Sequence, residues 1–102
     1  YGMIAPKLKD QLPKSRRDFL GKIIANMRKL HKAGLVHSDL SAFNILNYNE
    51  KPVFIDFSQC TTLDSPRAGE YLERDIRNIC NFFKKIGLRT DESKVREAVI
   101  GK

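Results

Sequence analysis

Apolar residues recur at helical spacing in three stretches of the sequence, residues 15–34, 65–87 and 90–100. In each stretch they return every three or four positions, which places them on one face of an α-helix. We therefore predict three amphipathic helices. Their apolar positions are Phe19, Leu20, Ile23, Ile24, Met27 and Leu30, then Ala68, Leu72, Ile76, Ile79, Phe83 and Ile86, and finally Val95, Val99 and Ile100.

The ends of these stretches carry residues that are typical of helix caps. Ser15, Ser65 and Thr90 have hydroxyl oxygens that can accept a hydrogen bond from the first turn of a helix. Gly34 and Gly87 follow the first and second stretches, and glycine readily adopts the left-handed conformation that ends a helix. We predict the three N-caps and two helix ends at these five residues.

A β-hairpin is predicted between the first two helices. Short apolar runs at residues 44–46 and 52–55 flank a polar cluster at residues 48–51. Two such runs around a turn signal are typical of an antiparallel strand pair. We predict a hairpin centred on Glu50.

This predicted register has a chemical consequence. It sets Asn44 directly opposite Asp56, and opposed side chains start about 5 Å apart at Cβ. Asp39 lies on the segment just before the hairpin. An amide oxygen and carboxylates at that spacing form a hard-oxygen site suited to Mg²⁺.

One carboxylate falls on the apolar side of the second helix. On a helical wheel, at about 100° per residue, Asp75 lies within about 40° of the centre of the apolar stripe. A buried carboxylate must find hydrogen-bond donors. We predict that Asp75 is a buried anchor for the backbone of a neighbouring loop; the alternative is a rim position in contact with water.

Length and composition limit the chain to one domain. It has 102 residues and 41% hydrophobic content, enough for a modest core. The sequence has no apolar run of membrane-spanning length and no signal-peptide pattern, and it begins at Tyr1. The simplest expectation is a cytoplasmic protein, truncated before Tyr1, with no membrane partner.

The net charge of +7 is confined to residues 1–34, where nine Lys or Arg stand against two Asp. Clustered basic residues are the footprint of contact with nucleic acid. The one aromatic residue that lies between these charges is Phe19, a predicted apolar-face position, so the alternative is a solvated helix face. Within this part, residues 1–14 lack helical or strand periodicity, and we predict an extended connector ending at Pro13.

The run HSDLSAFN at residues 37–44 resembles the protein-kinase catalytic loop H-R-D-L-x-x-x-N, and a strand follows it at the expected interval. With IDFSQ at residues 55–59, the pattern is similar to the RIO family of atypical kinases, and to its first branch in particular. Residues 5–9, 71–76 and 81–83 extend this resemblance over nearly the whole chain.

The resemblance implies an α+β, mainly α fold: a protein-kinase-like C-terminal lobe with a small hairpin that carries the catalytic and metal-binding loop. Residues 1–14 would follow the inter-lobe hinge, and residues 15–102 would form the helical lobe. The Gly-rich loop and strand Lys of an N-terminal lobe are absent from the sequence. That lobe is therefore an expected partner.

The resemblance also implies ATP with Mg²⁺ or Mn²⁺ as cofactors, serine/threonine kinase or ATPase activity, and a role in maturation of the small ribosomal subunit. Pre-ribosomal RNA and the subunit would be partners. Asp39 would orient or deprotonate the acceptor, Asn44 and Asp56 would hold metal and nucleotide, and Asp56 would be the position of a phosphoryl-aspartate. The implied structural supports are His37, Ser41 and Asp75.

Two other functions remain open from the sequence. One is a small-molecule phosphotransferase of the aminoglycoside-kinase type, against which the Ser58-Gln59 pair argues. The other is a non-catalytic module that binds RNA or the ribosome, against which the joint presence of Asp39, Asn44 and Asp56 argues. In the kinase-like case we expect the 102-residue chain alone to bind ATP–Mg weakly and to turn over negligibly.

Overall fold

The computed structural model describes residues 5–101. Its three helices and a small hairpin confirm the mainly helical architecture, and a second short strand pair is also present. None of the helices in these residues combines the length and apolarity that crossing a bilayer requires. In chain order the elements are α1 (Arg16–Lys32), β1 (Leu35–Val36), β2 (Ile45–Tyr48), β3 (Lys51–Phe54), a 3₁₀ turn (Phe57–Gln59), β4 (Thr61–Thr62), α2 (Ala68–Lys85) and α3 (Glu92–Ile100).

The strands form two antiparallel pairs, β1 with β4 and β2 with β3. The core lies where α1, α2 and α3 bring their apolar faces together, next to β1 and the hairpin. Of the predicted apolar positions, Ile100 is exposed, and both Ile100 and the half-buried Leu30 lie outside this core. The fully buried apolar side chains of the helices are Phe19, Ile23, Ile76, Ile79, Cys80, Phe83 and Val99.

The predictions for the ends of α1 and for the end of α2 are confirmed. The Ser15 hydroxyl oxygen accepts a hydrogen bond from the Asp18 N–H at 3.3 Å. Gly34 and Gly87 have φ values of 85° and 98°. Because L-residues other than Asn and Asp rarely adopt this conformation, glycine suits both helix ends.

The other two N-cap predictions are wrong. The backbone carbonyl of Ser65, not its hydroxyl, accepts a hydrogen bond from the N–H of Ala68 in a turn that precedes α2, so this helix begins later than predicted. The Asp91 carboxylate caps α3. The Thr90 hydroxyl donates instead to the carbonyl of Cys80 at 3.2 Å and ties the α2–α3 connection to α2.

The predicted connector is anchored to the hairpin, and it is not extended throughout, because the Asp10 and Gln11 N–H groups donate to the Lys7 carbonyl in a turn. Residues 1–4 lie outside the described part of the chain. Lys7 forms an isolated β-bridge with Leu46. Leu8 is fully buried, and its N–H donates to the carbonyl of Ile45 at 2.8 Å. The connector therefore packs along the outer edge of β2.

A bidentate ion pair joins α2 to α3. The Arg96 guanidinium donates to both carboxylate oxygens of Glu73, at 2.5 and 2.7 Å, and it lowers the pKa of that carboxyl. Both side chains are more than a third exposed, so the stabilisation is small. Because the pKa of the Glu73 carboxyl is lower in the folded chain than in the unfolded chain, the ion pair stabilises the fold at pH values above the unfolded-state pKa. This stabilisation is lost as the pH falls through the folded-state pKa.

We expect Glu73→Gln to lower the urea midpoint slightly at pH 7, and we expect its difference from the unmodified chain to shrink as the pH falls toward 3, because protonation of the Glu73 carboxyl removes its charge from the pair. Urea unfolding at the two pH values measures this. A difference that persists unchanged at pH 3 would mean that the pair acts through shape rather than charge.

Candidate active site

The β2–β3 hairpin closes with a two-residue turn at Asn49 and Glu50, which have φ values of 50° and 68°. The strand register therefore centres between these two residues. The Ile55 N–H donates to the carbonyl of Asn44 at 2.9 Å and extends the ladder. Asn44 thus lies opposite Ile55, and the predicted pairing with Asp56 is wrong by one residue. The cause is the turn, since two residues with positive φ match the twist of the strands.

Asp39 and Asn44 are in direct contact. The Asn44 side-chain amide donates to the backbone carbonyl of Asp39 at 2.7 Å and to its carboxylate at 3.3 Å. This leaves the Asn44 Oδ1 atom without a protein partner among residues 5–101. Asp39 is exposed, so its second carboxylate oxygen is accessible to a ligand.

Asp56 follows β3 in a left-handed conformation, with φ of 60° and ψ of 68°. Its carboxylate accepts a hydrogen bond from the Ser58 hydroxyl at 2.7 Å. Among the described residues it bonds to Ser58 rather than to Asp39 or Asn44. The side chain is exposed, and its other carboxylate oxygen is open.

The open atoms at this site are hard oxygen donors. Asn44 supplies an amide oxygen and Asp56 a carboxylate oxygen, both of which suit Mg²⁺ or Mn²⁺. Within residues 5–101, no group of three or more His, Cys, Asp or Glu side chains gathers as a metal cage. Mg²⁺ usually keeps several waters and binds phosphate oxygens, so a site with only a few protein ligands suits it.

His37 joins the loop of Asp39 to the end of β3. It is 2% exposed. Its Nδ1 atom accepts from the Asp39 N–H at 3.2 Å, and its Nε2 atom lies 2.8 Å from the carbonyl oxygen of Ile55. Because Nδ1 accepts, the proton resides on Nε2, which donates to Ile55. Both ring nitrogens are occupied, so His37 supports the loop.

Ser41 shapes the turn between Asp39 and Asn44. Its hydroxyl oxygen accepts from the Phe43 N–H at 3.2 Å, and its carbonyl accepts from the Asn44 N–H at 3.0 Å. A serine that bonds to the backbone two residues later stabilises such a turn locally. Ser41 thus sets the position of Asn44.

Asp75 is a buried anchor, as its position on the helical wheel predicts. It is 1% exposed, and its two carboxylate oxygens accept the N–H groups of Ser38 and Leu40 at 2.8 and 3.0 Å. Burial raises the pKa of Asp75, and the two N–H donors oppose that rise. The loop that carries Asp39 is therefore held on both sides of this residue.

Sequence reasoning missed two further contacts from α2. The Arg74 guanidinium donates to the carbonyl of Ser38, a residue with φ of 76°. The Asn78 amide donates to the carbonyl of Leu40 at 3.3 Å. Together with Asp75, these side chains bind both the N–H and carbonyl groups of the loop. Their spacing of four residues along α2 was the available signal, because it places both on the same side of the helix.

Residues 1–97 match the family model described as RIO domain. The chain is 43% identical over 96 residues to the RIO-type serine/threonine-protein kinase Rio1 of Thermoplasma acidophilum, covering 93% of this chain and 50% of that protein. It is 41% identical over 102 residues to Rio1 of Methanocaldococcus jannaschii, covering 99% and 35%. The chain therefore spans half or less of the length of these relatives.

The fold is similar to that of solved kinase structures. The crystal structure of the Rio2 kinase-ADP/Mg²⁺-phosphoaspartate complex from Chaetomium thermophilum matches with a TM-score of 0.77 at 24% identity, covering 98% of this chain and 35% of that one. The match confirms the predicted fold class, a mainly helical, protein-kinase-like fold with small β-hairpins.

Proposed function

The chain belongs to the RIO family, and from that premise we propose that it is the C-terminal lobe of a kinase domain, bearing the catalytic and metal-binding side of an ATP-dependent phosphoryl-transfer site. One observation carries this proposal. The contacting pair Asp39 and Asn44 lies on a loop held by buried Asp75, and Asp56 follows β3, the strand that pairs with the one after Asn44. Phosphoryl transfer depends mainly on such positioning.

Each polar group has a role that its exposure supports. The exposed Asp39 carboxylate orients the acceptor hydroxyl and accepts its proton. The open oxygens of Asn44 and Asp56 would hold Mg²⁺ or Mn²⁺, which when bound would neutralise charge on the phosphates. The Chaetomium Rio2 structure contains a phosphoaspartate, and we assign the equivalent role here to Asp56.

The outer face of the hairpin supports a place for the nucleotide base. Ile45 and Asn47 are buried, so the alternate residues Leu46 and Tyr48 face outward on the same side as Asn44. Val53 pairs with Leu46 and is 38% exposed. An exposed apolar face beside the polar site suits an adenine ring, with its phosphates directed toward Asn44.

For the whole protein we propose serine/threonine kinase or ATPase activity in small ribosomal subunit maturation, in the cytoplasm. The exposed lysines Lys29 and Lys32 on the outer side of α1 support contact with pre-ribosomal RNA. RNA binding that weakens steeply with salt would support this role, and binding that is insensitive to salt would argue against it.

Titration of the chain with Mn²⁺, in the presence and absence of ATP, tests the proposed site directly. We expect paramagnetic broadening of the amide NMR signals around residues 44 and 56. ATP should bind with a dissociation constant of about 1 mM, because the sequence lacks the Gly-rich loop and strand Lys with which an N-terminal lobe contacts the phosphates.

Two variants make this test selective. Asp56→Asn should abolish the broadening, whereas Asp64→Asn makes the same change at an exposed carboxylate elsewhere and should preserve it. Broadening centred away from residues 44 and 56 would refute the metal site. Micromolar ATP affinity of the chain would refute the expectation that tight ATP binding requires an N-terminal lobe.

A further inference from the structure

We propose that Phe43, Lys7 and Lys9 form a docking surface for the phosphoryl acceptor, a polypeptide segment with acidic residues and an apolar side chain. This inference rests on the proposed phosphoryl transfer and names the substrate class. The three residues are termed the Phe43 surface. In the sequence the lysines lie more than thirty positions from Phe43, so the fold creates this combination of charge and aromatic side chain.

The Phe43 surface combines an exposed ring with two cations. The Phe43 side chain is 58% exposed, and its ring centroid lies 5.9 Å from the Lys7 Nζ and 5.1 Å from the Lys9 Nζ. Packing fixes this orientation. Ala42 is 7% exposed and Leu8 is fully buried, so the residues next to them in sequence are directed outward.

The Phe43 surface is attached to the loop of the site. The Lys9 N–H donates to the carbonyl of Ala42 at 3.3 Å. Asn44, the next residue after Phe43, contacts the Asp39 carboxylate. A segment bound across Phe43 would therefore lie beside Asp39, where an acceptor hydroxyl must reach.

The charges of the Phe43 surface select an anionic partner. Within residues 5–101, Lys7 makes no ion pair, and Lys9 pairs with Asp10 in an exposed contact that contributes little. A partner with both carboxylates and an apolar side chain would complement the lysines and the ring together.

A polypeptide fits the Phe43 surface better than RNA does. Binding that follows a phosphate backbone gains its strength from neutralising many phosphates, and this surface offers two lysines. Stacking of successive bases uses several aromatic side chains, and the surface has one. The Rio1 relatives are named serine/threonine-protein kinases, for which a polypeptide is the acceptor.

Peptide titration of the 102-residue chain, followed by NMR, tests this inference. One serine peptide carries Asp, Glu and Leu, and the second has the same length with Lys in place of the acidic residues. We expect the acidic peptide to shift the signals of residues 7–9 and 41–44. Phe43→Ala should weaken its affinity about tenfold, the effect of losing an aromatic anchor.

The double variant Lys7→Glu/Lys9→Glu should reverse the preference, so that the basic peptide binds more tightly. Lys84→Glu/Lys85→Glu is the matched control, since it makes the same charge change on exposed residues of α2 and should leave the preference unaltered. The NMR spectrum of each variant verifies that its fold is preserved.

Three outcomes would overturn the inference: equal shifts with both peptides, shifts that map elsewhere, or a single-stranded RNA that shifts residues 7–9 and 41–44 more than the acidic peptide. The titration needs no nucleotide. Its failure with an intact Mn²⁺ response at residues 44 and 56 refutes the docking surface alone. Loss of the Mn²⁺ response with intact peptide binding refutes the metal site alone.

Discussion

Replacing Asp75 with alanine is expected to lower the free energy of unfolding by about 3 kcal/mol or more, because two buried N–H groups lose their acceptor at about 1–3 kcal/mol each. Those groups belong to Ser38 and Leu40. Ser38 has a positive φ, which costs a residue with a Cβ additional energy and persists because the surroundings hold it. Urea unfolding at pH 7 measures the loss.

Hydrogen exchange identifies the cause of this loss. In Asp75→Ala the amides of Ser38 and Leu40 should exchange faster than those in the helix cores. The free energy of unfolding of Asp75→Asn should lie between those of Asp75→Ala and the unmodified chain. The amide keeps one acceptor oxygen but turns an NH₂ group toward the other N–H donor. Asp64→Ala removes an exposed carboxylate and serves as the control. A loss below about 1 kcal/mol for Asp75→Ala would show that water replaces the carboxylate.

The helices and the anchor were predictable because both depend on local periodicity. The spacing of apolar residues fixes which face of a helix is buried, and this alone places Asp75 in the core. Arg74 and Asn78 were missed because polar residues at the edge of that face are usually solvated. Their partners are backbone carbonyls, which leave no mark on the sequence.

The hairpin shows why register is harder to predict than the presence of a strand pair. The polar cluster at residues 48–51 is compatible with more than one turn, and the structure places the positive φ values at Asn49 and Glu50. A shift of one residue changes which side chains are opposed. Asn44 consequently lies opposite Ile55 rather than Asp56, and its side chain contacts Asp39.

The Phe43 surface lay beyond sequence reasoning for a related reason. From the sequence, the N-terminal charges indicated either contact with nucleic acid or a solvated helix face, and neither interpretation included Phe43. Pairing of the connector with β2 brings Lys7 and Lys9 beside Phe43. Contacts between distant segments arise from tertiary packing, which the local pattern of either segment does not contain.

The largest effect on activity is expected at Asp56. The test protein is a chimaera in which residues 5–97 of this chain replace the matching part of Thermoplasma acidophilum Rio1, a 43% identical relative. Asp56→Asn should lower its ATP turnover by about a thousandfold, because a bound metal ion contributes several kcal/mol and each 1.4 kcal/mol or so is a factor of ten. Steady-state release of ADP measures this.

Asparagine at position 56 retains an oxygen that can accept the Ser58 hydroxyl, so the variant changes charge while preserving shape. Asp64→Asn controls for the loss of a carboxylate elsewhere, and turnover of Asp56→Asn within about tenfold of the parent would remove Asp56 from the metal site.

Asp39→Asn separates the role of the Asp39 carboxylate from that of the Asp56 carboxylate. It should abolish transfer to a serine peptide and leave the Mn²⁺ response at residues 44 and 56 intact, because Asp39 acts on the acceptor and Asp56 on the phosphate.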